Sequence, residues 1–230
     1  MSNVMPPDDE QEAHIVDRIY EAVIDQRLPP GTKLPESNLC TAFGVGRMRI
    51  RRSLLILASR EVVELQPNRG AYVAQPTAQQ AREVFEARLT IEPSLARIVA
   101  QRIRRPDAKM LASLLKKEAR AHKAGNRREA IRLSGQFHVL LAELAGNSVL
   151  LRIVKDLVAR SSLIIGMYGD PGVTNCRDDD HSAIVAALDV GDGDQAQGLM
   201  HAHLSHITGH LQLEKSSAVQ TDLIALFGVG

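Results

Sequence analysis

Tryptophan is absent from this 230-residue chain, and aromatic residues make up only 3% of it. A core without large rings has to rest on Leu, Ile, Val and Ala, which suit the packing of helices. Cysteine is also scarce, and the spacing of Cys40 and Cys176 fits neither a disulfide framework nor a zinc finger. The two cysteines therefore favour a reducing compartment.

Long hydrophobic runs are missing as well. No apolar run approaches the ~18 residues that span a membrane. The segment from Met1 to Glu10 is acidic and contains proline, so it lacks the basic and apolar regions of a signal peptide. We therefore expect a cytoplasmic protein without a membrane partner.

The net charge is small, at +1, and it does not by itself indicate nucleic-acid binding. The distribution of charge is more informative, because five arginines and no acidic residue lie between positions 47 and 60. A solvated surface is the common explanation of such a run. Four of these arginines, however, fall within the first six residues of a predicted helix, where like charges cost stability. Because the repulsion between these arginines destabilises the helix, we expect the arginine cluster to have a function.

The first third of the chain has the element order of a winged helix-turn-helix domain. The predicted elements are helix 12–26, a rigid Pro-Gly loop at 28–35, helices 36–43 and 47–59, and strands 62–65 and 71–73. The turn between the two strands is a hairpin signal and would form the wing. Residues 1–9 are expected to be disordered.

This stretch resembles the DNA-binding half of the gluconate-repressor (GntR) family. The resemblance is carried by Pro30-Gly31, Phe43-Gly-Val45, Arg47, Arg51 and Pro67-Asn-Arg-Gly-Ala71. It implies a DNA-binding domain at 10–75. It also implies a homodimer whose recognition helices enter successive major grooves of a palindromic operator in double-stranded DNA.

The recognition helix is expected to supply the base contacts. Arg47 opens it and Arg51 lies one turn further, so both can reach phosphates or guanine edges. The family commonly has Thr-Pro after the first arginine, whereas this chain has Met48-Arg49. We expect that departure to change which operator is read. Solvated charge and DNA contact both remain open for Arg49 and Arg52.

The wing is the second expected point of contact with DNA. Arg69 stands beside Gly70 at its predicted tip. The resemblance implies that this tip touches the minor groove or a phosphate.

Beyond Gln75-Pro76 the periodicity is helical throughout, and Thr77 can cap the first helix of this part. The predicted helices are 77–103, 107–124, 127–145, 148–167, 174–190 and 193–213. We therefore expect a mainly α protein, with a winged helix-turn-helix at its N-terminus and an all-α helical bundle at 76–213. The pattern leaves the state of the tail, 214–230, open.

The bundle resembles the FCD ligand-binding domain of the FadR-like branch of the same family. The matching pieces are Glu86-Ala-Arg88 with Glu92, Phe137-His138, Ala145-Gly-Asn147, His181 with Ile184 and Gly191-Asp192, and Met200-x-x-His203. The resemblance makes Arg88 the partner of a small organic-acid effector, for which a guanidinium offers two parallel donors. The residues alone equally allow a surface ion pair between Arg88 and Glu92.

Three histidines, His138, His181 and His203, fall on or beside apolar stripes of three separate helices. A buried imidazole needs a polar partner, and convergence on one ion would supply all three. Neutral imidazole suits zinc, nickel or another first-row divalent metal, so we predict one such ion, with zinc first. Histidines satisfied by hydrogen bonds in the core are one alternative. A cluster of His203, His206 and His210 on a single helix is another.

Ser134 is a departure from the family, which commonly has Asp or Asn one turn before the histidine that matches His138. Serine is a poor metal ligand. We expect a three-histidine site with positions open to water or to the carboxylate of an effector, although loss of the metal is an alternative. Ser134 is accordingly included among the effector-binding residues.

Three functions follow from these features. The leading hypothesis is a repressor, not an enzyme, that responds to a small carboxylate. A metal-dependent hydrolase is the second, but no general base stands with the histidines and no His-Glu-x-x-His occurs. A structural DNA-binding protein with an inert helical bundle is the third.

Overall fold

The computed structural model describes residues 8–169 and 180–213, which form nine helices and one three-stranded sheet. Their bounds are α1 Asp8–Ile24, β1 Lys33–Leu34, α2 Glu36–Phe43, α3 Arg47–Ser59, β2 Val63–Gln66, β3 Gly70–Val73, α4 Ala78–Ala100, α5 Arg105–Lys123, α6 Arg127–Leu144, α7 Ser148–Tyr168, α8 Asp180–Asp189 and α9 Gly193–Gly209. The chain divides into two compact units between Gln75 and Pro76. The predicted fold class is confirmed: the protein is mainly α, with a small sheet in the N-terminal unit.

The N-terminal unit packs α1 and α2 against α3, and α3 against β2. Its core is aliphatic, as the lack of aromatic residues requires, with Ile19, Leu39 and Leu57 fully buried. Helices α2 and α3 begin and end where the sequence predicts. The turn between them depends on Gly44, whose φ of +65° is accessible to glycine at no steric cost.

The sheet has the order β1-β3-β2 and is antiparallel throughout. The hairpin of β2 and β3 is the predicted wing. The predicted loop at 28–35 is wrong in part, because Lys33 and Leu34 pair with Tyr72 and Ala71 as a third strand. A strand of two residues carries no periodicity that a sequence could reveal.

Helix α1 begins at Asp8, earlier than the predicted start, so the expected disorder is wrong for the last residues of 1–9. The acidic sequence around Glu10 favours a helix there, because negative charge is stabilising at the positive end of the helix dipole. Residues 1–7, part of the predicted helix 174–190, Cys176 and the tail 214–230 lie outside the described residues.

The C-terminal unit is helical, with α4 lying against α9, α7, α6 and α8. Thr77 caps α4 as predicted: its hydroxyl accepts from the Gln80 backbone N–H while the Gln80 side chain accepts from the Thr77 backbone N–H. The last helix ends at Gly209, short of the predicted end at 213. Leu211 instead forms an isolated antiparallel bridge with Gly169. No helix in the described ranges is long and apolar enough to cross a membrane.

Candidate metal centre and nucleic-acid interface

The structure brings His138, His181 and His203 together from α6, α8 and α9, and all three are buried. The Nε2 atom of His203 lies 3.1 Å from Nε2 of His181 and 3.4 Å from Nε2 of His138. One potential ligand atom from each residue falls within 4.8 Å of the others. Across residues 8–169 and 180–213, this is the one group of three or more such side chains that converges in this way.

Each of these imidazoles also meets a carboxylate at its other nitrogen. Nδ1 of His181 lies 2.9 and 3.0 Å from the two carboxylate oxygens of Glu118 on α5. Nδ1 of His203 lies 3.2 Å from Oδ2 of Asp180 at the start of α8. Nδ1 of His138 similarly lies 2.6 Å from Oε2 of a third carboxylate, on α4.

A carboxylate at Nδ1 favours the tautomer with the proton on that nitrogen, which leaves a lone pair on Nε2. Three such lone pairs then face one another at the centre of the cluster. Histidines that bind metals are oriented by carboxylates in this manner. The set of donors therefore fits a divalent cation. The position of the three carboxylates behind the histidines was not predicted from the sequence.

Burial and neighbouring groups set the charge states of the cluster. Burial lowers the pKa of His138 to about 4, and burial together with the nearby His181 lowers the pKa of His203 to about 3. Burial would raise the pKa of Glu118, but hydrogen bonds with His122 and His181 outweigh it and lower that pKa to about 2. At neutral pH His138 and His203 are thus neutral and Glu118 is charged, as binding of a divalent cation requires.

Arg88 forms the ion pair with Glu92 that the sequence left open as one alternative, but the pair is buried and does not lie at the surface. Both residues are only 2% exposed. The Nε and Nη2 groups of Arg88 donate to the two carboxylate oxygens of Glu92, the latter over 3.2 Å. Burial would raise the pKa of Glu92, but the charges of Arg88 and His138 lower it well below its usual range. Glu92 is also the third carboxylate of the cluster, so Arg88, Glu92 and His138 form a continuous chain.

A cavity adjoins this chain, and its wall includes Arg88, His138, Ser134, His122 and Arg127. The cavity offers about 30 Å³ to the centres of water molecules, which is room for about two of them. The sequence reasoning missed Arg127 and His122. Arg127 could have been found, because it lies seven residues before Ser134 and so shares a face of α6 with it.

The alternative histidine cluster on α9 is not assembled. His203 is buried within the three-helix group, whereas His210 is exposed. Nδ1 of His210 lies 2.8 Å from the backbone oxygen of His206, and their rings are 4.2 Å apart.

In the N-terminal unit, α3 presents three of the four predicted arginines to solvent. Arg47 is exposed at its first turn. The Nε of Arg51 donates to both carboxylate oxygens of Glu36, over 2.8 and 3.0 Å. Arg52 pairs with Glu12 over 3.1 Å. Arg49 is half-buried.

The wing tip holds Arg69 and Gly70 where the hairpin turns. Gly70 has a φ of +96° and the preceding Asn68 one of +59°, so the turn needs left-handed backbone conformations. The guanidinium of Arg69 lies 5.7 Å from the ring centroid of Tyr72. The Tyr72 hydroxyl donates to the Arg69 backbone oxygen over 3.3 Å.

Comparisons with known proteins agree with this division. The model of the bacterial regulatory proteins of the gntR family matches residues 11–73, and the FCD domain model matches residues 83–206. The chain is 27% identical to the HTH-type transcriptional regulator YdfH of Escherichia coli O6:H1, over 90% of each chain. It is 28% identical to the HTH-type transcriptional repressor RspR of Escherichia coli K12, over 79% of this chain and 80% of the other.

Solved structures share the fold. The Escherichia coli protein McbR/YncC superposes with a TM-score of 0.78 at 17% identity, over 86% of this chain and 95% of the other. A GntR regulator from Rhodococcus sp. RHA1 gives a TM-score of 0.75 at 21% identity, over 87% and 98%. At these identities the likeness extends to the fold alone.

Proposed function

Since the chain belongs to the GntR family of bacterial regulatory proteins and carries an FCD domain, we propose that it is a repressor that acts in the cytoplasm as a homodimer on a palindromic operator. It is a DNA-binding transcription regulator and not an enzyme, so the hydrolase alternative is wrong. Repression is supported by the name of the relative RspR. Control of operator binding by a metal and a small carboxylate is supported by the histidine cluster and the adjoining cavity of the C-terminal unit.

The metal part of the proposal is carried by one observation, the convergence of three Nε2 atoms backed by carboxylates. His138, His181 and His203 would hold the ion. Three neutral imidazoles suit zinc, with nickel or another first-row metal as alternatives. The ion would supply a fixed positive charge beside the cavity.

The effector part rests on the wall of the cavity. Arg88 and Arg127 contribute guanidinium groups, and Ser134 adds a hydroxyl. His138 belongs both to this wall and to the histidine cluster, so an anion in the cavity would lie beside the ion. The size of the cavity favours a small carboxylate.

The experiment that tests this function measures operator release. Duplexes recovered by genome-wide footprinting are bound to the purified protein, and a panel of small carboxylates is added with and without EDTA. We expect at least one carboxylate to release DNA only while the metal is bound, since an effector must prefer one of two states of the dimer. Binding that no carboxylate changes would support the structural DNA-binding alternative with an inert bundle.

Arg47→Ala should weaken operator binding by roughly 5- to 150-fold per half-site, the range expected for loss of a base-reading arginine. The side chain is exposed at the start of α3, so the fold should be unaffected. Fluorescence anisotropy at several salt concentrations checks this, since wild-type affinity should fall steeply with salt. Arg128→Ala, an exposed arginine of α6, is the matched control. Equal affinities for the two variants would contradict the assignment of α3.

Glu118→Gln should lower the metal affinity about 10- to 100-fold. The amide can donate a hydrogen bond to Nδ1 of His181, which would place the imidazole proton on Nε2 and block the lone pair. Competition with a chromophoric chelator measures the affinity. Glu143→Gln, at an exposed ion pair with Lys155, is the control. An unchanged affinity in Glu118→Gln would show that this carboxylate does not orient the histidine.

A further inference from the structure

The exposed face of α3 has an apolar centre. Ile50, Ser53, Leu54 and Leu57 form the buried side of the helix. At about 100° per residue, the direction opposite the middle of that side falls on Met48 and Leu55. Their exposed fractions are 65% and 58%, so neither packs into the core of the unit.

Arginines border this apolar centre on both sides. On a helical wheel Arg47 and Arg51 lie to one side of it and Arg52 lies to the other. Arg51 and Arg52 are each tied to a carboxylate of a neighbouring helix, Glu36 on α2 and Glu12 on α1. The ion pairs hold two of the cations at the rim and leave the middle of the face to the apolar side chains.

This combination matches the chemistry of the major groove. The cationic rim suits the phosphates on either side of the groove. The one apolar group on the base edges there is the 5-methyl of thymine, which apolar side chains contact. A recognition helix presents its N-terminal residues to the bases, and Met48 is the second residue of α3 whereas Leu55 lies two turns further.

We propose that Met48 is a specificity-determining residue that reads the 5-methyl group of a thymine in each half of the operator. This inference rests on DNA reading by α3, which is part of the proposed function. A protein partner on the same apolar patch is the competing occupant, and it would leave DNA selectivity independent of Met48.

The test uses full-length protein and DNA chosen by the protein itself. Duplexes are first selected from a random library, and each thymine of the selected site is then replaced singly by deoxyuridine, which lacks the 5-methyl group. Wild-type affinity should fall about fourfold at one thymine per half-site, the effect of one buried methyl-sized group. The other thymines should tolerate the change.

Protein variants assign that effect to a residue. Met48→Gln, which has a similar length, should bind thymine and deoxyuridine equally at that position, while Met48→Leu should keep the difference. Leu55→Ala is the matched control on the same face and should also keep it. The proposal would be overturned if no replacement changed the affinity of the wild-type protein. It would also be overturned if Met48→Gln kept the wild-type difference in affinity between thymine and deoxyuridine. Failure to select any salt-sensitive site would instead refute DNA reading by α3.

Discussion

Chelation of the metal proposed for the histidine cluster should lower the melting temperature of the protein by about 10 °C. An ion that binds only the folded state stabilises it by about 4 kcal/mol when its concentration is a thousand times the Kd. In a protein of this size each kcal/mol shifts the melting temperature by about 2–4 °C. Without the ion, the three Nε2 lone pairs of the cluster face one another with no cation between them.

The measurement is differential scanning calorimetry on protein purified without chelator or affinity tag, before and after EDTA, with elemental analysis of the same sample. We expect about one divalent ion per chain. The melting temperature of His203→Gln should be close to that of the chelated wild type, and EDTA should not change it. His210→Gln, exposed immediately after the same helix, is the control and should behave as wild type. Metal-free wild-type protein whose melting temperature ignores both EDTA and added zinc would refute the site.

Ser134→Asp tests the same site by adding a possible metal ligand instead of removing one. Ser134 lies one turn before His138 on α6 and lines the adjoining cavity. A carboxylate there would add a charged ligand type that zinc accepts. The variant should therefore bind the ion more tightly than wild type, which a chelator competition would measure.

The sequence could predict that the three histidines are buried, because helical periodicity places each of them on or beside an apolar stripe, and the resemblance to the FCD domain singles out the same three. It could not predict their carboxylate partners in the same way. Asp180 is next to His181 in the chain but contacts His203 on another helix, and Glu118 reaches His181 across 63 positions. Such contacts depend on how helices pack, which local patterns do not encode.

For Arg88, too, the sequence predicts a local contact but not the surroundings of that contact in the folded protein. Its spacing to Glu92 predicts an ion pair at one helical turn, and that pair forms. The spacing cannot report that other helices pack against α4 and that both charges are removed from water.

Arg88→Ala should destabilise the C-terminal unit by about 3–5 kcal/mol, because it leaves the buried carboxylate of Glu92 without its strongest partner. Urea unfolding followed by circular dichroism measures the loss. Arg132→Ala is the matched control: Arg132 pairs with Glu129 within α6, but both side chains are partly exposed, so about 0–1 kcal/mol is expected. A similar loss in both variants would contradict a buried pair.

The role of Arg88 toward an effector has to be tested with a variant that keeps the charge. Arg88→Lys leaves Glu92 a cationic partner, so the unit should stay folded and should keep its metal. An ammonium group cannot present two parallel donors to a carboxylate as a guanidinium does. We therefore expect Arg88→Lys to bind the operator normally and to need a higher concentration of carboxylate for release. If Arg88→Lys releases DNA at the wild-type concentration, Arg88 only neutralises Glu92 and the carboxylate is bound by other residues of the cavity wall, of which Arg127 is the remaining guanidinium.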